Sequence, residues 1–544
     1  MSKNHENQSE SLPRRAPAVG RRSMLLGAGG AAALGGLSLG GIAPAAAAPD
    51  HANPGRPSGK SARAVPEHSY RPAYHFSVPD NWKNDPQRPV FVDGEYLYYY
   101  LYNADYLDGG AGTSWRLATT RDHVSFEDHG VAIEKNSNGN GDCWSGCVVV
   151  DHDDTAGYGA GALIALVTQA PSTGQAQYLW YSTDKGRTFT PGGEDPVLPN
   201  PGRHDFRDPK VIWDADRGRW FMANAEGNRL GFYASANLRD WEEVGSFHRD
   251  DLGLLECPDI FQMIADDGTA HWVLGISANG KARDLPATYA YWTGTFDGAS
   301  FTPEAAEPEW LDRGFDFYGA VTYEHYDDAG RLDPSLRRAI GWANFWDYPH
   351  NSPSLITDGY NGDDMIVRDV RMVRAGERYV LVSQPTAALA DYTSKAHEIG
   401  TIRLSGNRDL ELRSRAYELA CTLVWDPANR PDNIGFELCR APGGGRHVAA
   451  GAFLGGGFTY VNRRPTFNPG NGGESQVPFD VGSGRLDVRI LVDHASVELF
   501  VGDGRVVHSH RAFPLAGDDG IRLFVHGGEA AYENLVIREL DVTG

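Results

Sequence analysis

The sequence predicts an all-β protein: a five-bladed β-propeller followed by a C-terminal β-sandwich. Three observations carry that expectation. The 544-residue chain holds 65 glycines and 32 prolines and has few long apolar stretches of 3.6-residue period, so turn-rich strands are favoured over helices. Five runs rich in aromatic and β-branched residues, at 95–103, 162–170, 218–227, 270–280 and 338–346, recur at roughly 50 to 70 residues, the spacing of a sheet unit repeated around a ring. Beyond position 380 or so the chain turns to short alternating strands such as RYVLVSQ, GFELCRA and GIRLFVHGG, with turn signals about every 8 to 12 residues, which is the pattern of a sandwich.

Taken in order, residues 1–48 form a leader. Arg21-Arg22 precedes Ser23-Met24-Leu25-Leu26 and a weakly apolar Gly/Ala/Leu stretch, and Ala45 to Ala48 offer small-residue cleavage sites. That is the arrangement of a twin-arginine export signal, so a secreted protein is expected. Residues 49–68, with Pro, Gly, Ser and scattered charges, read as a disordered tether. The propeller is expected over 69–380 and the sandwich over 381–544. Within the latter, 485–508 reads as a hairpin that turns at Gly502-Asp503-Gly504. No segment after the leader is apolar enough to span a bilayer, so no membrane partner is expected after export.

The formal net charge is −22, and the leader carries five Lys/Arg against two Asp/Glu, so the exported part is more acidic still. Such a surface repels nucleic acid, anionic membranes and polyanionic substrates, and a neutral ligand is expected. Five irregularly spaced cysteines make neither a disulfide framework nor a metal site. Cys421 and Cys439 are either a pair or two buried thiols. No metal or organic cofactor is implied.

Each propeller unit opens on a strand upstream of its aromatic run, and the unusual residues lie there. The units begin near Asn84-Asp85-Pro86, Trp144-Ser145-Gly146, Phe206-Arg207-Asp208-Pro209, Glu256-Cys257-Pro258-Asp259 and Phe315-Asp316-Phe317-Tyr318. The first strand of each blade lines the central channel, so Asp85, Asp208 and Glu256 are expected at equivalent positions of their blades, converging on one pocket. Taken singly, Asn-Asp-Pro and Arg-Asp-Pro are common turns. Three acids at one funnel repel one another and persist where chemistry needs them.

Two carboxylates flanking a glycosidic bond are the minimum for glycoside hydrolysis, one acting as nucleophile and the other as acid. Asp85, beside Asn84, Trp82 and backbone amides, is expected to stay ionised. Glu256, after Leu254-Leu255 and before Cys257-Pro258, has an apolar sequence setting that favours its protonated form. Asp208 is expected to be held ionised by Arg207. Aromatic residues next to the acids suit stacking of sugar rings.

The ordered motifs NDP (84–86), WSGC (144–147), FRDP (206–209), ECPD (256–259) and DRGFDFYGA (312–320), with DHASVELFVGDG (493–504) near the C-terminus, resemble glycoside hydrolase family 32 over roughly residues 70–540. The resemblance implies Asp85 as nucleophile, Glu256 as acid/base and Asp208 as transition-state stabiliser. It implies a terminal fructosyl site shaped by Asn84, Trp82, Trp144, Ser145, Arg207, Cys257, Tyr318 and Trp342. The sequence departs from the family pattern at Lys83, Gln87, Arg88 and Cys147, which bears on substrate choice. The NDPQRP form resembles levan fructotransferases and levan-degrading exo-enzymes, implying β-2,6 fructan (levan) as partner and, as the preferred outcome, transfer that releases difructose dianhydride IV. Hydrolysis to fructose or levanbiose is the alternative, and a non-catalytic fructan-binding protein is the reading of another class. Ser182 to Phe189 fits the Asp-box turn of sialidase-like propellers, but the acidic chain suits an anionic sugar poorly, so a blade turn is expected there.

Overall fold

A computed structural model describes residues 68–466 and 473–542. The expected leader and, apart from His68, the expected tether lie outside the described residues. Among the described residues no helix is long and apolar enough to cross a membrane.

Five antiparallel sheets surround one axis, and their innermost strands are Asn81–Pro86, Cys143–Asp151, Arg207–Asp214, Leu255–Ile264 and Tyr318–Tyr326. Period-2 alternation explains how the blades pack. In Glu95–Asn103 the even-numbered tyrosines 96 to 102 face one neighbouring blade, while Leu97, Tyr99 and Leu101 face the other, and both faces are buried. The ring is closed by Tyr360–Asn361, which returns from the fifth blade to pair in parallel with Asn81 and Trp82.

Arg378–Pro385 is the outermost strand of the fifth blade, paired with Arg368–Ala375. The sequence reading placed RYVLVSQ in the sandwich; alternation alone does not say which neighbour a strand pairs with. The Asp-box segment is the expected blade turn, with Ser182 accepting from Gly186 N and Asp184 from Thr188 N.

The C-terminal domain, from Thr393 to Leu540, is a sandwich whose layers are continuous. Gly520–Leu540 pairs with Asn433–Arg440 through its first half and with Tyr417–Val424 through its second, so one bent strand belongs to both layers, as does its partner Thr393–Arg413. The turn expected at Gly502-Asp503-Gly504 forms, but the single strand expected before it is two, Arg485–Asp493 and Ser496–Val501, which pair with each other, so the segment is a three-stranded meander that ends in Val506–Arg511. Cys421 and Cys439 are separate free thiols in this core.

Buried polar groups join sandwich to propeller. Residues 313–316 run along Val506–Arg511, with Arg313 N donating to Val507 O (2.7 Å) and Phe315 N to Ser509 O (3.0 Å). Arg368 bridges Asp312 and Glu498 (2.7 and 3.2 Å), and His75 lies between Asp493 and Glu498 at 2.9 Å from each.

Candidate active site

Each of the five inner strands breaks register at the same place against its hairpin partner. The four residues of Lys83–Pro86, Cys143–Gly146, Arg207–Lys210, Glu256–Asp259 and Tyr318–Val321 each oppose three on the next strand. Five equivalent β-bulges thus ring one mouth of the channel, and a bulge re-aims side chains and tightens the local twist. The motifs read from the sequence are these bulges. In three blades the first extra residue has positive φ: Asp208 (61°), Cys257 (46°) and Gly319 (55°). At Gly319 a side chain is excluded twice over, because a Cβ there would come within 2.6 Å of Asp85 Oδ1.

The register corrects the expectation that the three acids are equivalent. Glu256 shares its level with Arg207 and Tyr318, Asp208 with Cys257 and Asn84, and Asp85 with Ser145. Sequence motifs do not show where a bulge inserts its extra residue, so positions one or two apart look alike. The levels explain the contacts. Arg207 Nε and Nη2 donate to Glu256 Oε1 (3.1 and 3.0 Å), and Tyr318 OH donates to Oε2 (2.6 Å). Cys257 N donates to Asp208 Oδ2 (3.1 Å), and Ser145 Oγ donates to Asp85 Oδ2 (2.9 Å).

All three acids nevertheless converge. Cys257 Sγ lies 3.8 Å from Asp85 Oδ2 and 3.7 Å from Asp208 Oδ2, and its own peptide neighbour is Glu256. Asp85 Oδ1 and Asn84 Oδ1 are buried without a hydrogen-bond partner, the condition of groups that a ligand's hydroxyls or reacting carbon can meet.

The electrostatics differ from the sequence expectation at each acid. Burial, then the charges of Asp208 and Glu256, push the Asp85 carboxyl up to about 7, against the Ser145 hydrogen bond that pulls it down. Among the described residues no backbone amide donates to it. Burial also raises Asp208 to about 6; Arg207 opposes this but is spent largely on Glu256 and Asp205, whose Oδ1 accepts from Arg207 Nη1 at 2.6 Å. Glu256 is not in an apolar setting, because Arg207 and Tyr318 both donate to it. Leu255, which precedes it in sequence, is turned away into the blade core by strand alternation.

Trp144 is half-buried, its Nε1 bonded to Asp142 (3.0 Å) and its ring 6.0 Å from the Arg207 guanidinium. Trp82 is buried, with Tyr106 stacked on it at 6.0 Å and its Nε1 donating to Pro349 O. Trp342 is fully enclosed behind Trp82 and Trp346. It therefore shapes the wall through its neighbours and is not a contact surface.

Sequence reasoning missed Gln87 as a site residue. Its Oε1 accepts from Gly146 N (2.7 Å), while its Nε2 donates to Asp85 O (3.2 Å) and approaches Ser145 Oγ (3.4 Å), so one amide clamps two bulges together. Gln175 and Asp205, which hold Arg207 from behind, were missed too. Gln87 was visible as a departure from the family motif; the other two had no signal, being ordinary loop residues brought close by the fold.

Carboxylates in such numbers, with hydroxyl-sized donors and acceptors between them, suit proton transfer and attack at an acetal carbon. Comparison with known proteins agrees. Residues 75–385 match the N-terminal domain of glycosyl hydrolases family 32, and residues 386–539 match its C-terminal domain. The chain is 46% identical over 478 residues to a levanbiose-producing levanase of Bacillus subtilis (strain 168), covering 87% of this chain and 91% of that one. It is 46% identical over 403 residues to a levanbiose-producing levanase of Geobacillus stearothermophilus, covering 73% and 100%. The exo-inulinase of Aspergillus awamori superposes with a TM-score of 0.76 at 25% identity, covering 87% of this chain and 99% of that one. The chain belongs to glycoside hydrolase family 32.

Proposed function

We propose that this chain hydrolyses levan and releases levanbiose, by double displacement through a covalent fructosyl-enzyme. The observation that carries the chemistry is the meeting of Asp85, Asp208 and Glu256, from three blades, around Cys257. Asp85 attacks the anomeric carbon while Glu256 gives its proton to the departing oxygen; Glu256 then takes a proton from water, which attacks the same carbon and frees Asp85. Asp208 stabilises the positive charge that develops on the ring. Burial raises the carboxyls of both Asp85 and Asp208, so near neutrality these two interacting acids exchange protons as a pair and not as independent groups.

Both relatives at 46% identity are levanbiose-producing levanases, which supports the hydrolytic alternative over the fructotransferase outcome that the motif resemblance favoured. A polymeric substrate outside the cell fits export through the Arg21-Arg22 leader. The test is incubation with levan, inulin and sucrose followed by chromatography of the products. Levanbiose from levan is expected. A cyclic, non-reducing difructose would establish transfer instead, and no product from any fructan would remove the enzymatic reading.

A further inference from the structure

We propose that the opposite mouth of the propeller channel is a second fructan-binding site, which tethers a polymer chain while another part of it is cut at the carboxylate face. The inference rests on the levan reading above for the identity of the polymer. A cavity of about 780 Å³ opens where the inner strands end, not where their bulges begin. Trp213, which lines it, lies five residues beyond Asp208 on one strand, so the two faces are roughly 17 Å apart along the axis. Arg88 spans the axis between them, donating to Gly146 O (2.9 Å) and to Pro258 O, the carbonyls of two different bulges.

The chemistry of this cavity is that of a sugar site. Trp213 is 41% exposed yet held in place by the Trp220 ring at 5.0 Å, itself tied by its Nε1 to Thr155 (2.8 Å). A large ring fixed with its surface in water is a platform for the apolar face of a sugar. Tyr326 and Phe91, stacked at 4.6 Å, are two further aromatics of the lining. Polar groups stand further in. Lys210 is 5% exposed and its nearest carboxylate oxygen, on Asp259, is 3.6 Å away, beyond hydrogen-bond distance; Arg88 Nε has no hydrogen-bond partner. Sugar hydroxyls both donate and accept, so they suit Lys210 and Arg88 as well as the Glu324 carboxylate of the same lining. Asp93, Asp153 and Glu324 on the lining, in a chain of net charge −22, exclude a polyanion. The volume falls in the range of small-ligand sites, about 300–1,000 Å³. Two sites on opposite faces act together only on a ligand long enough to reach both, so the gain is one of effective concentration and is confined to polymer.

The experiment has two arms. In the first, levan is cast into a native gel, and Asp85→Asn protein is compared with the Asp85→Asn/Trp213→Ala double variant. The first is expected to be retarded, with the double variant binding about fivefold to tenfold more weakly. In the second, active enzyme carrying Trp213→Ala is expected to show a KM for polymeric levan raised by a similar factor, with kcat/KM on levantriose unchanged. Equal retardation of the two proteins overturns the proposal, as does an equal loss on levan and levantriose, since that marks damage to the fold. Trp213-dependent retardation by a protein that releases nothing from levan would keep the second site and remove the proposed activity.

Discussion

Two buried clusters of this molecule are built from the same residue types and behave in opposite ways. At the channel mouth Asp85, Asp208 and Glu256 meet with Arg207 bonded to Glu256, and burial leaves Asp85 and Asp208 raised to about 7 and 6. Between propeller and sandwich, Asp493 and Glu498 are as deeply buried, yet both carboxyls are lowered: burial, the largest single cause, raises them, and His75 outweighs it together with His494 and the Ala73 amide at Asp493 and with Arg368 and the Ile366 amide at Glu498. The difference lies in the donors. Asp493 accepts from the amides of Ala73, Tyr74 and His494 as well as from the imidazole, and Glu498 accepts from Ile366 N, Arg368 and Ser509. Asp85 has Ser145 on one oxygen and no partner on the other. Burial of acids does not mark a site of chemistry; burial without enough donors does.

The largest effect that separates the two clusters is on turnover. Asp85→Asn is expected to lower kcat on levan by at least about four orders of magnitude, while raising thermal stability above pH 7. The sign follows from the raised carboxyl: in the folded protein Asp85 ionises near 7 instead of near 4, so the native state loses stability as pH rises through that window. Asparagine escapes the loss, which amounts to at most about 4 kcal/mol for a shift of this size. Melting curves of the two proteins should converge near pH 4 and separate by pH 8. Identical curves at pH 8 would mean that the site stores no such cost.

His75 is the matching lever at the interface. Burial would lower its pKa, but the hydrogen bonds from its two ring nitrogens to Asp493 and Glu498 raise it to about 9. Its contribution is therefore fully present below pH 6.5 and is lost as pH rises through 9, a loss of about 3 kcal/mol. Asp493 and Glu498, being lowered, add stability that is lost in acid, so this cluster is strongest between the two limits. His75→Gln should cost most of that at pH 6 and little at pH 10, read by chemical denaturation, with kcat of the folded fraction unchanged. A cost that does not vary with pH would mean that the imidazole acts by packing alone.

How far the sequence foretold each cluster follows from how local its determinants are. The propeller, its five motif-bearing strands and the three acids were legible, because strand patterning and motifs such as Arg207-Asp208-Pro209 are written in consecutive residues. The levels of those acids were not, because one inserted residue per strand is invisible until the partner strand is in place. The electrostatic setting was misread for the same reason. Glu256 was judged by its neighbours in sequence, of which Leu255 turns into the blade core, whereas its true neighbours, Arg207 and Tyr318, come from adjacent blades. The interface cluster was half legible: Asp493 and Glu498 stand in the DHASVELFVGDG run, but nothing marked their partner His75, which is 423 residues from Glu498.

The smallest expected effect tests whether donor supply sets the difference between the clusters. Ser145 gives Asp85 Oδ2 a hydrogen bond that pulls its pKa down against burial and against Asp208 and Glu256. Ser145→Ala removes that donor and keeps the bulge, whose backbone is held by the Gln87 side chain through Gly146 N. Asp85 should then need a higher pH to ionise, so the acid limb of the kcat/KM profile, expected between about 6 and 7 in the parent, should move up by about half a pH unit to one unit. At a pH well above the limb, kcat/KM should recover to within about tenfold of the parent. The corresponding change at the interface, Ser509→Ala, removes one donor among several on Glu498 and should leave the pH dependence of stability almost where it was. If the acid limb of Ser145→Ala stays in place while activity falls equally at every pH, the serine positions the nucleophile sterically and the donor count is not what separates the two clusters.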